Sequence, residues 1–440
     1  MSVPAADSAN PLSHGWFGDV PTSWSVSSVR DALTEKSTRN EGQLRSDYLS
    51  LVSGVGVIPY EEKGDLGNKK SDDLSNCKLV EVGDFVVNSM NFLIGGFGRS
   101  PYQGVCSPVY VVASPDEQRF DPRFLMRVFQ VGEFQRHVGR LGNGIMALRM
   151  AIGWDELKNQ PVPKPPLPDQ TRIANFLDEK TARIDALIAE KERLTELLLE
   201  EEQSCIDGAV LGGQVPLPHF PFTPATCTVG GAVWRRGSLK RYWRVTDCKH
   251  VTVEFVEDGY PLASIREVSS GVLELGDAKR ARQEDFLSLI EGGRQPQWGD
   301  LIYARNASVG AAAYVDTDEP FAMGQDVCLI SSADQDQRFL RLQLMSSPVK
   351  AQLEGLLVGA TIRRINVEQL RNFVLLVPHP DVQRVVVEAT EAQLARRANL
   401  RLHLSEHIDR LREYRSSLIS AAVTGHLNID DFQARQLESA

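Results

Sequence analysis

No run of about 18 or more apolar residues occurs in this 440-residue chain, so it offers no transmembrane helix. The opening stretch MSVPAADSANPLSHGWFGDV lacks a basic segment followed by an apolar core, and a cytoplasmic protein without membrane attachment is expected. Cysteine is scarce. Its six copies, Cys77, Cys106, Cys205, Cys227, Cys248 and Cys328, form no CxxC pair and have no histidines at finger spacing, which predicts reduced thiols and no structural metal. Catalytic signatures are missing as well: there is no GxxxxGK[ST] phosphate loop, GxSxG elbow, HExxH helix or EF-hand loop. His403 and His407 stand at i and i+4, but no third ligand lies nearby in sequence, so a structural helix face is expected. The glycines of Ser53-Gly-Val-Gly56 and Gly95-Gly-Phe-Gly98 lack the strand-glycine-helix unit of a dinucleotide site and read as loop geometry.

The chain is 42% hydrophobic and 24% charged, an ordinary globular composition. Its net charge of -10 speaks against a nucleic-acid partner only if it is evenly spread. It is not. Residues 166–213 carry 5 basic and 11 acidic groups, whereas 1–165 carry 17 and 19, 214–380 carry 18 and 19, and 381–440 carry 8 and 9. The acidity is concentrated in one short segment, leaving near-neutral surroundings where basic surfaces can form.

Sliding the sequence on itself by 213 residues aligns 154–212 with 367–425 without a gap, with 14 identities in 59 positions that include Gln170/Gln383, Leu187/Leu400, Ile206/Ile419 and Gly212/Gly425. A register that long indicates internal duplication. Upstream it survives in pieces: Gly83-Asp84 opens a strand as Gly299-Asp300 does, and Trp24 to Leu33 resembles Trp234 to Trp243. Four segments follow: a globular unit over 1–165, a long helix over 166–213, a second globular unit over 214–380, and a second long helix with a tail over 381–440. From 169 to about 206 there is neither Pro nor Gly before Gly208, and Ile173, Leu177, Ile184, Leu187, Leu194 and Leu198 recur at three and four. Asp169 caps this helix after the proline-rich 161–168, and Gly212-Gly213 ends it. The second helix begins at Asp381, carries Leu400, Leu404, Leu411 and Leu418, and ends at Gly425. Each spans roughly 50 to 60 Å. Such helices need one another as partners, and the two stripes supply the pairing surface. The acidic run Glu200-Glu-Glu202 reads as a solvated face or a patch for a basic partner. Strands are expected at 83–87, 109–113, 300–304, 326–330 and 372–377, and short helices at 121–138 and 337–354, so each unit is an irregular α+β domain.

Particular wording adds to this pattern. PPLPDQTRIANFLDEKTARIDALIAEKERLTELLLEE resembles the conserved helix of the specificity subunits of type I restriction-modification enzymes, and SLISAAVTGHLNI at 417–429 resembles that family's C-terminal ending. GDFVVNSMNFLIGGFGRSPYQGVCSPVYVV at 83–112 and WDELKNQPVPKPPLPDQ at 154–170 are similar to its recognition domains, with GDLIYARNASVGAAAYV at 299–315 and INVEQLRNFVLLVPHPDVQ at 365–383 a looser likeness. In the second helix Arg397 and His407 occupy stripe positions. The resemblance implies two mixed α/β target-recognition domains in pseudo-twofold arrangement, separated by two long antiparallel coiled-coil-like helices. It implies a DNA-recognition subunit that reads a bipartite double-stranded site and docks two copies of a DNA-adenine methyltransferase subunit, with restriction and translocase subunits completing the complex. The chain itself would be non-catalytic and hold no cofactor, S-adenosylmethionine, ATP and magnesium belonging to the partners.

Base reading draws on Arg, Lys, Asn and Gln on exposed loops. In the first unit the candidates are Asn88, Ser89 and Asn91 after the Gly-Asp strand, with Lys69, Lys70 and Arg99 on flanking loops; in the second they are Arg305, Asn306, Arg266, Gln325, Arg363 and Arg364. Each alone reads more readily as a solvated side chain or a phosphate contact than as a base reader, and only as a set do they mark the recognition loops. Two other classes remain open, a degenerate methyltransferase and a helical scaffold that reads no DNA. The methyltransferase would need an [ND]PP[YF] loop, which Lys164-Pro-Pro-Leu167 is not.

Overall fold

The computed structural model describes residues 15–64, 69–70, 73–142, 151–212, 226–229, 232–358 and 363–438. Contacts divide the chain into two units, Met1–Lys191 with Glu406–Ala440, and Glu192–Ser405.

In the first unit, β1 (Ser25–Ser28), a single turn α1 (Val29–Ala32) and β2 (Leu33–Glu35) precede the hairpin of β3 (Leu49–Val52) and β4 (Gly56–Pro59). Then come β5 (Lys78–Val80), β6 (Phe85–Asn88), β7 (Phe97–Arg99), β8 (Gly104–Cys106) and β9 (Tyr110–Pro115). Helices α2 (Pro122–Gln130), α3 (Gly132–Gly139) and α4 (Trp154–Lys158) lead through β10 (Pro161–Lys164) into α5 (Leu167–Val210). The main sheet is antiparallel in the order β2-β9-β6-β7. Strand alternation buries both its faces. Phe85, Val87, Val111 and Ala113 join an aromatic core with Phe129 and Phe134, while Val86, Tyr110 and Val112 turn toward the β3–β4 hairpin. β10 pairs with β1 in a two-stranded sheet, where Pro161 and Pro163 are tolerated because both strands are edges.

The second unit contains β11 (Thr226–Val229), β12 (Ala232–Ser238), β13 (Arg244–Asp247), β14 (Phe255–Val256), β15 (Tyr260–Ala263), α6 (Ile265–Val268), β16 (Arg280–Ala281) and α7 (Gln283–Ile290). It continues with β17 (Leu301–Ala304), β18 (Ala312–Tyr314), β19 (Ala322–Met323), β20 (Val327–Ser331), α8 (Gln337–Met345), α9 (Ser347–Leu357), α10 (Val367–Arg371) and β21 (Val374–Val377). The second long helix α11 (Pro380–Val423) follows, and α12 (Ile429–Glu438) closes the chain against the first unit. The sheet β13-β20-β17-β18 repeats the strand order of the first unit, and β12 meets β21 as β1 meets β10. Both expected short helices are interrupted, at Val131 and at Ser346, where the backbone turns extended.

Two devices explain why the duplicated residues recur. Gly83 and Gly299 both adopt φ +93°, a conformation that suits glycine. Each lets the next carboxylate turn back: Asp84 accepts the Glu81 N–H and Asp300 the Gln297 N–H, both at 2.9 Å. The second device is a fully buried glutamine at the root of each long helix. Gln170 accepts the Asp121 N–H at 2.9 Å and donates to the Pro165 carbonyl at 3.0 Å; Gln383 accepts the Asp336 N–H at 3.0 Å and donates to the Pro378 carbonyl at 2.9 Å. Asp121 and Asp336 are in turn the N-caps of α2 and α8. Both long helices begin one or two residues before the expected aspartate caps, since Pro168 and Pro380 fit a first turn that needs no N–H.

Each unit contains the first half of its own long helix and the last half of the other, and the two run antiparallel. In the first unit Arg415 pairs with Asp185 at 2.8 Å; in the second Arg401 pairs with Glu202 at 3.0 Å and Arg397 with Glu201 at 3.6 Å. Part of the acidic run thus faces arginines of the partner helix. Ile173, Leu177, Ile184, Leu404 and Leu418 are buried, while Leu198 and Leu411 are partly buried. Leu187, Leu194 and Leu400 depart from the expected stripe and are 46%, 43% and 49% exposed. Among the described residues each of these leucines has one long helix beside it, and a single neighbour covers a narrower arc than the spacing implies. Among the described residues no helix is long and apolar enough to cross a membrane.

Replacing Gln170 by Leu removes the acceptor of a buried N–H and should cost about 1 to 3 kcal/mol, with Gln383→Leu costing a similar amount. Urea denaturation of both variants checks this; a parental midpoint for either would contradict the clamp.

Candidate nucleic-acid interface

The second unit gathers several of its candidate residues on one rim. Past the end of β17, the Arg305 N–H donates to the Asp326 carbonyl at 2.9 Å, the Ile365 N–H to the Arg305 carbonyl at 2.9 Å, and the Ala307 N–H to the Arg363 carbonyl at 3.1 Å. Three loops are thereby laced together. Asn306 donates to the Asp326 carboxylate at 3.3 Å, and Arg364 pairs with the same carboxylate at 3.1 Å. Ala307 and Asp326 take positive φ of 53° and 64°, so the junction holds two non-glycine residues in a conformation that side chains disfavour. Arg363 is exposed and tied to Glu354 at 2.6 Å.

Arg305 behaves differently from the surface reader its position suggests. It is 3% exposed, with its guanidinium 2.6 Å from Asp247 and 3.8 Å from the Cys248 thiol. A desolvated cation held by its counter-ion is a strut inside the loop, and reaching a base would mean breaking that pair. Asp247, Cys248 and His250 are also close enough together to hold a metal ion. Their chemistry fits one poorly: Asp247 is committed to Arg305, and burial, followed by the nearby Asp247, pushes the Cys248 thiol up, away from the thiolate a metal needs. His403 and His407 are exposed on α11.

In the first unit Asn88, Ser89 and Asn91 lie together at the end of β6 but face inward in function. Asn88 is buried, accepts the Met90 N–H at 3.1 Å, and caps the short 3-10 turn over 89–94. Ser89 donates to the Val109 carbonyl at 3.1 Å, and the carbonyl of the partly buried Asn91 accepts the Gly96 N–H at 2.8 Å. These residues set the loop's shape. Arg99 is not with them: it pairs in register with Phe85 at the other end of β6 and reaches the Gly83 carbonyl and Glu117. Lys69 and Lys70 are exposed on a separate loop, where the Lys70 N–H donates to the Tyr60 hydroxyl at 3.1 Å and its ammonium lies 6.0 Å from the Tyr48 ring centre.

The two remaining candidates of the second unit meet elsewhere. Arg266 and Gln325 line a cavity of about 400 Å³ together with Lys249, Phe255, Lys279 and Met323. None of those last four was identified from the sequence. The run Lys279-Arg-Ala-Arg282 is a basic cluster that could have marked the place; Phe255 and Lys249 carry no comparable signal.

Residues 277–395 match the family model described as the type I restriction modification DNA specificity domain, a segment that lies in the half with the looser wording. The chain is 23% identical over 389 residues to the type I restriction enzyme MjaVIII specificity subunit of Methanocaldococcus jannaschii, covering 84% of this chain and 85% of that one. A solved structure described as the structural basis of complex assembly and conformational transition of the type I R-M system superposes with a TM-score of 0.71 at 15% identity, covering 93% of this chain and all of that one. The HsdS subunit of Thermoanaerobacter tengcongensis superposes with a TM-score of 0.52 at 15% identity, over 93% and 98%. The likeness in fold extends over almost the whole length.

Replacing Arg363 and Arg364 by Ala should lower duplex affinity roughly 3- to 10-fold and reduce the salt slope by about 1 for each phosphate no longer neutralised, leaving stability unchanged. Arg305→Ala should instead destabilise the chain by about 1 to 3 kcal/mol, since Asp247 loses its buried partner. Fluorescence anisotropy over a salt series and thermal denaturation separate the two; an Arg305 variant of parental stability would refute the strut.

Proposed function

We propose that this relative of the type I restriction-modification specificity subunits is the sequence-specific DNA-recognition subunit of such a complex, reading a bipartite site. One observation carries the reading. The two units repeat a sheet order, a Gly-Asp turn and a glutamine clamp, while the loops beyond those shared elements differ in side chains and geometry. Identical scaffolds with different loops are what two half-sites of different sequence require, because the scaffold positions the protein and the loops specify the bases.

Each recognition domain, 1–165 and 214–380, would take one half-site, with Lys69, Lys70, Arg266, Asn306, Gln325, Arg363 and Arg364 supplying base and phosphate contacts. The paired long helices would set the spacing. At 44 residues each is about 66 Å long, enough to impose a separation that a flexible linker could not hold. Half-sites on one face of B-DNA lie about 34 to 36 Å apart or at multiples of it. Two copies of a DNA-adenine methyltransferase subunit would dock on the helices and carry S-adenosylmethionine, and restriction and translocase subunits would bring ATP and magnesium. The chain would contribute no catalytic group. Lys164-Pro-Pro-Leu167, weighed above against a methyltransferase loop, is the joint between β10 and α5, with the Pro165 carbonyl engaged by Gln170.

Mobility shifts on random duplexes, with and without a co-expressed methyltransferase subunit, test the assignment. Sequence-selective binding by the complex is expected; methylation by the chain alone, or a complex without sequence preference, would overturn it. Deleting one heptad from the middle of both α5 and α11 shortens each by roughly 10 Å and should abolish methylation of the parental site or change its spacer. Single-molecule sequencing of methylated adenines reads that result, and an unchanged spacer would refute the ruler.

A further inference from the structure

The cavity of about 400 Å³ in the second unit lies outside the repeated scaffold. It is built on the small sheet β14-β16-β15-β19, whose strand order differs from that of the duplicated sheet. Its wall is apolar, with Val251, Val253, Leu262, Leu289 and Met323, and its opening is cationic, with Lys249, Arg266 and Lys279 against the single carboxylate of Glu267. That carboxylate is already engaged by the Ser264 N–H at 3.0 Å and by Arg266 at 2.8 Å. Lys249 is likewise committed, donating to the Ser288 hydroxyl at 2.9 Å and pairing with Glu291 at 2.8 Å. Lys279 is the cation still available. Its ammonium rests 4.3 Å from the centre of the Phe255 ring, and no ion pair to a carboxylate is formed by it among the described residues. Phe255 is 53% exposed, an aromatic surface left open beside a positive charge. Gln325, exposed on the rim, carries an amide that offers both a donor and an acceptor.

We infer that this cavity takes a single nucleotide unit, its base against Phe255 and the apolar wall and its phosphate on Lys279. An aromatic ring stacks any base, a neighbouring cation answers the phosphate, and a glutamine amide matches the edge of adenine. A water-sized void would hold no base, and a site for a simple anion would need no apolar wall. The rim is closely fitted: a Cβ on Gly324 would collide with the Ser264 hydroxyl oxygen, so the strand end and the loop carrying Gln325 are in direct contact. The nucleotide can be free in solution or one displaced from a DNA duplex, and the second source rests on the reading of this chain as a DNA-recognition subunit.

Full-length protein is titrated with each deoxynucleoside 5′-monophosphate by calorimetry, and with two duplexes of one sequence by anisotropy, one fully paired and one carrying a single-nucleotide bulge. The bulged duplex should bind about tenfold more tightly than the paired one, and both Phe255→Ala and Lys279→Gln should remove that preference while leaving paired-duplex affinity unchanged. Mononucleotide binding without a bulge preference, abolished by the same two substitutions, places a free nucleotide in the cavity. If the paired duplex binds but neither mononucleotides nor the bulge is favoured, the cavity assignment fails and DNA recognition stands. Equal loss of paired and bulged binding in Phe255→Ala would make that residue a general DNA contact and also overturn the assignment. If no duplex binds, DNA recognition by the isolated chain fails, and the mononucleotide titration alone decides the cavity.

Discussion

A helix of 44 residues cannot cover its own apolar stripe, and the rest of this structure follows from how that stripe is covered. A small domain reaches only the first few turns. Ile173 and Leu177 at the root of α5 pack into the first globular core, as Val387 of α11 does in the second. Beyond that reach the available partner is the other long helix, and antiparallel pairing places the tail of one beside the root of the other. Leu418, Ile419 and Val423 thus complete the core of the first unit, and Ile206 and Val210 that of the second. Each unit is built from two distant stretches of chain, which is why the boundary between the units cuts both helices in the middle.

The glutamine clamps fix the direction in which each helix leaves its domain. A helix held by apolar contacts alone can rotate or slide at modest cost, because dispersion has little directionality. A buried amide with three hydrogen-bonding groups engaged cannot. Gln170 binds the N-terminus of α2 and the proline turn before α5 at once, and Gln383 binds the corresponding pair, so the aim of each helix is set by polar geometry. Further along, Arg415 with Asp185 and Arg401 with Glu202 select one register. Pairs of this kind that keep partial contact with solvent are worth only about 0 to 1 kcal/mol each, so they choose between alignments more than they hold the helices together.

Periodicity and duplication were legible in the sequence because they are repeated signals. The ends of α5 and α11 fell within a few residues of expectation, and the strands at 83–87, 300–304 and 372–377 were recovered. The recognition loops were not legible in the same way. Asn88 and Arg305 have the right chemistry to read bases, yet one caps a turn and the other neutralises Asp247, because burial depends on neighbours remote in sequence. Nothing local distinguishes Arg305 from Arg364, 52% exposed at its side chain on the same junction. Of the cavity beside Gln325 only the basic run at 279–282 left a local trace, because its wall comes from short strands that alternate too briefly to register as a pattern.

The distribution of charge ties these observations together. The acidic surplus is concentrated in the segment that contains α5, and part of it is answered by arginines of α11. Where Glu201 and Glu202 meet Arg397 and Arg401, the field of each helix is partly cancelled by the other. Charge beyond about 8 to 10 Å is screened at physiological ionic strength. What an approaching polyanion meets at a loop is therefore the local balance there, not the total of -10. At the junction past β17 that balance is set by the exposed Arg363 and Arg364 against Glu354 and Asp326, each carboxylate paired with one of them. An acidic chain can in this way present basic recognition surfaces, provided that its acids are held on elements with a structural task of their own.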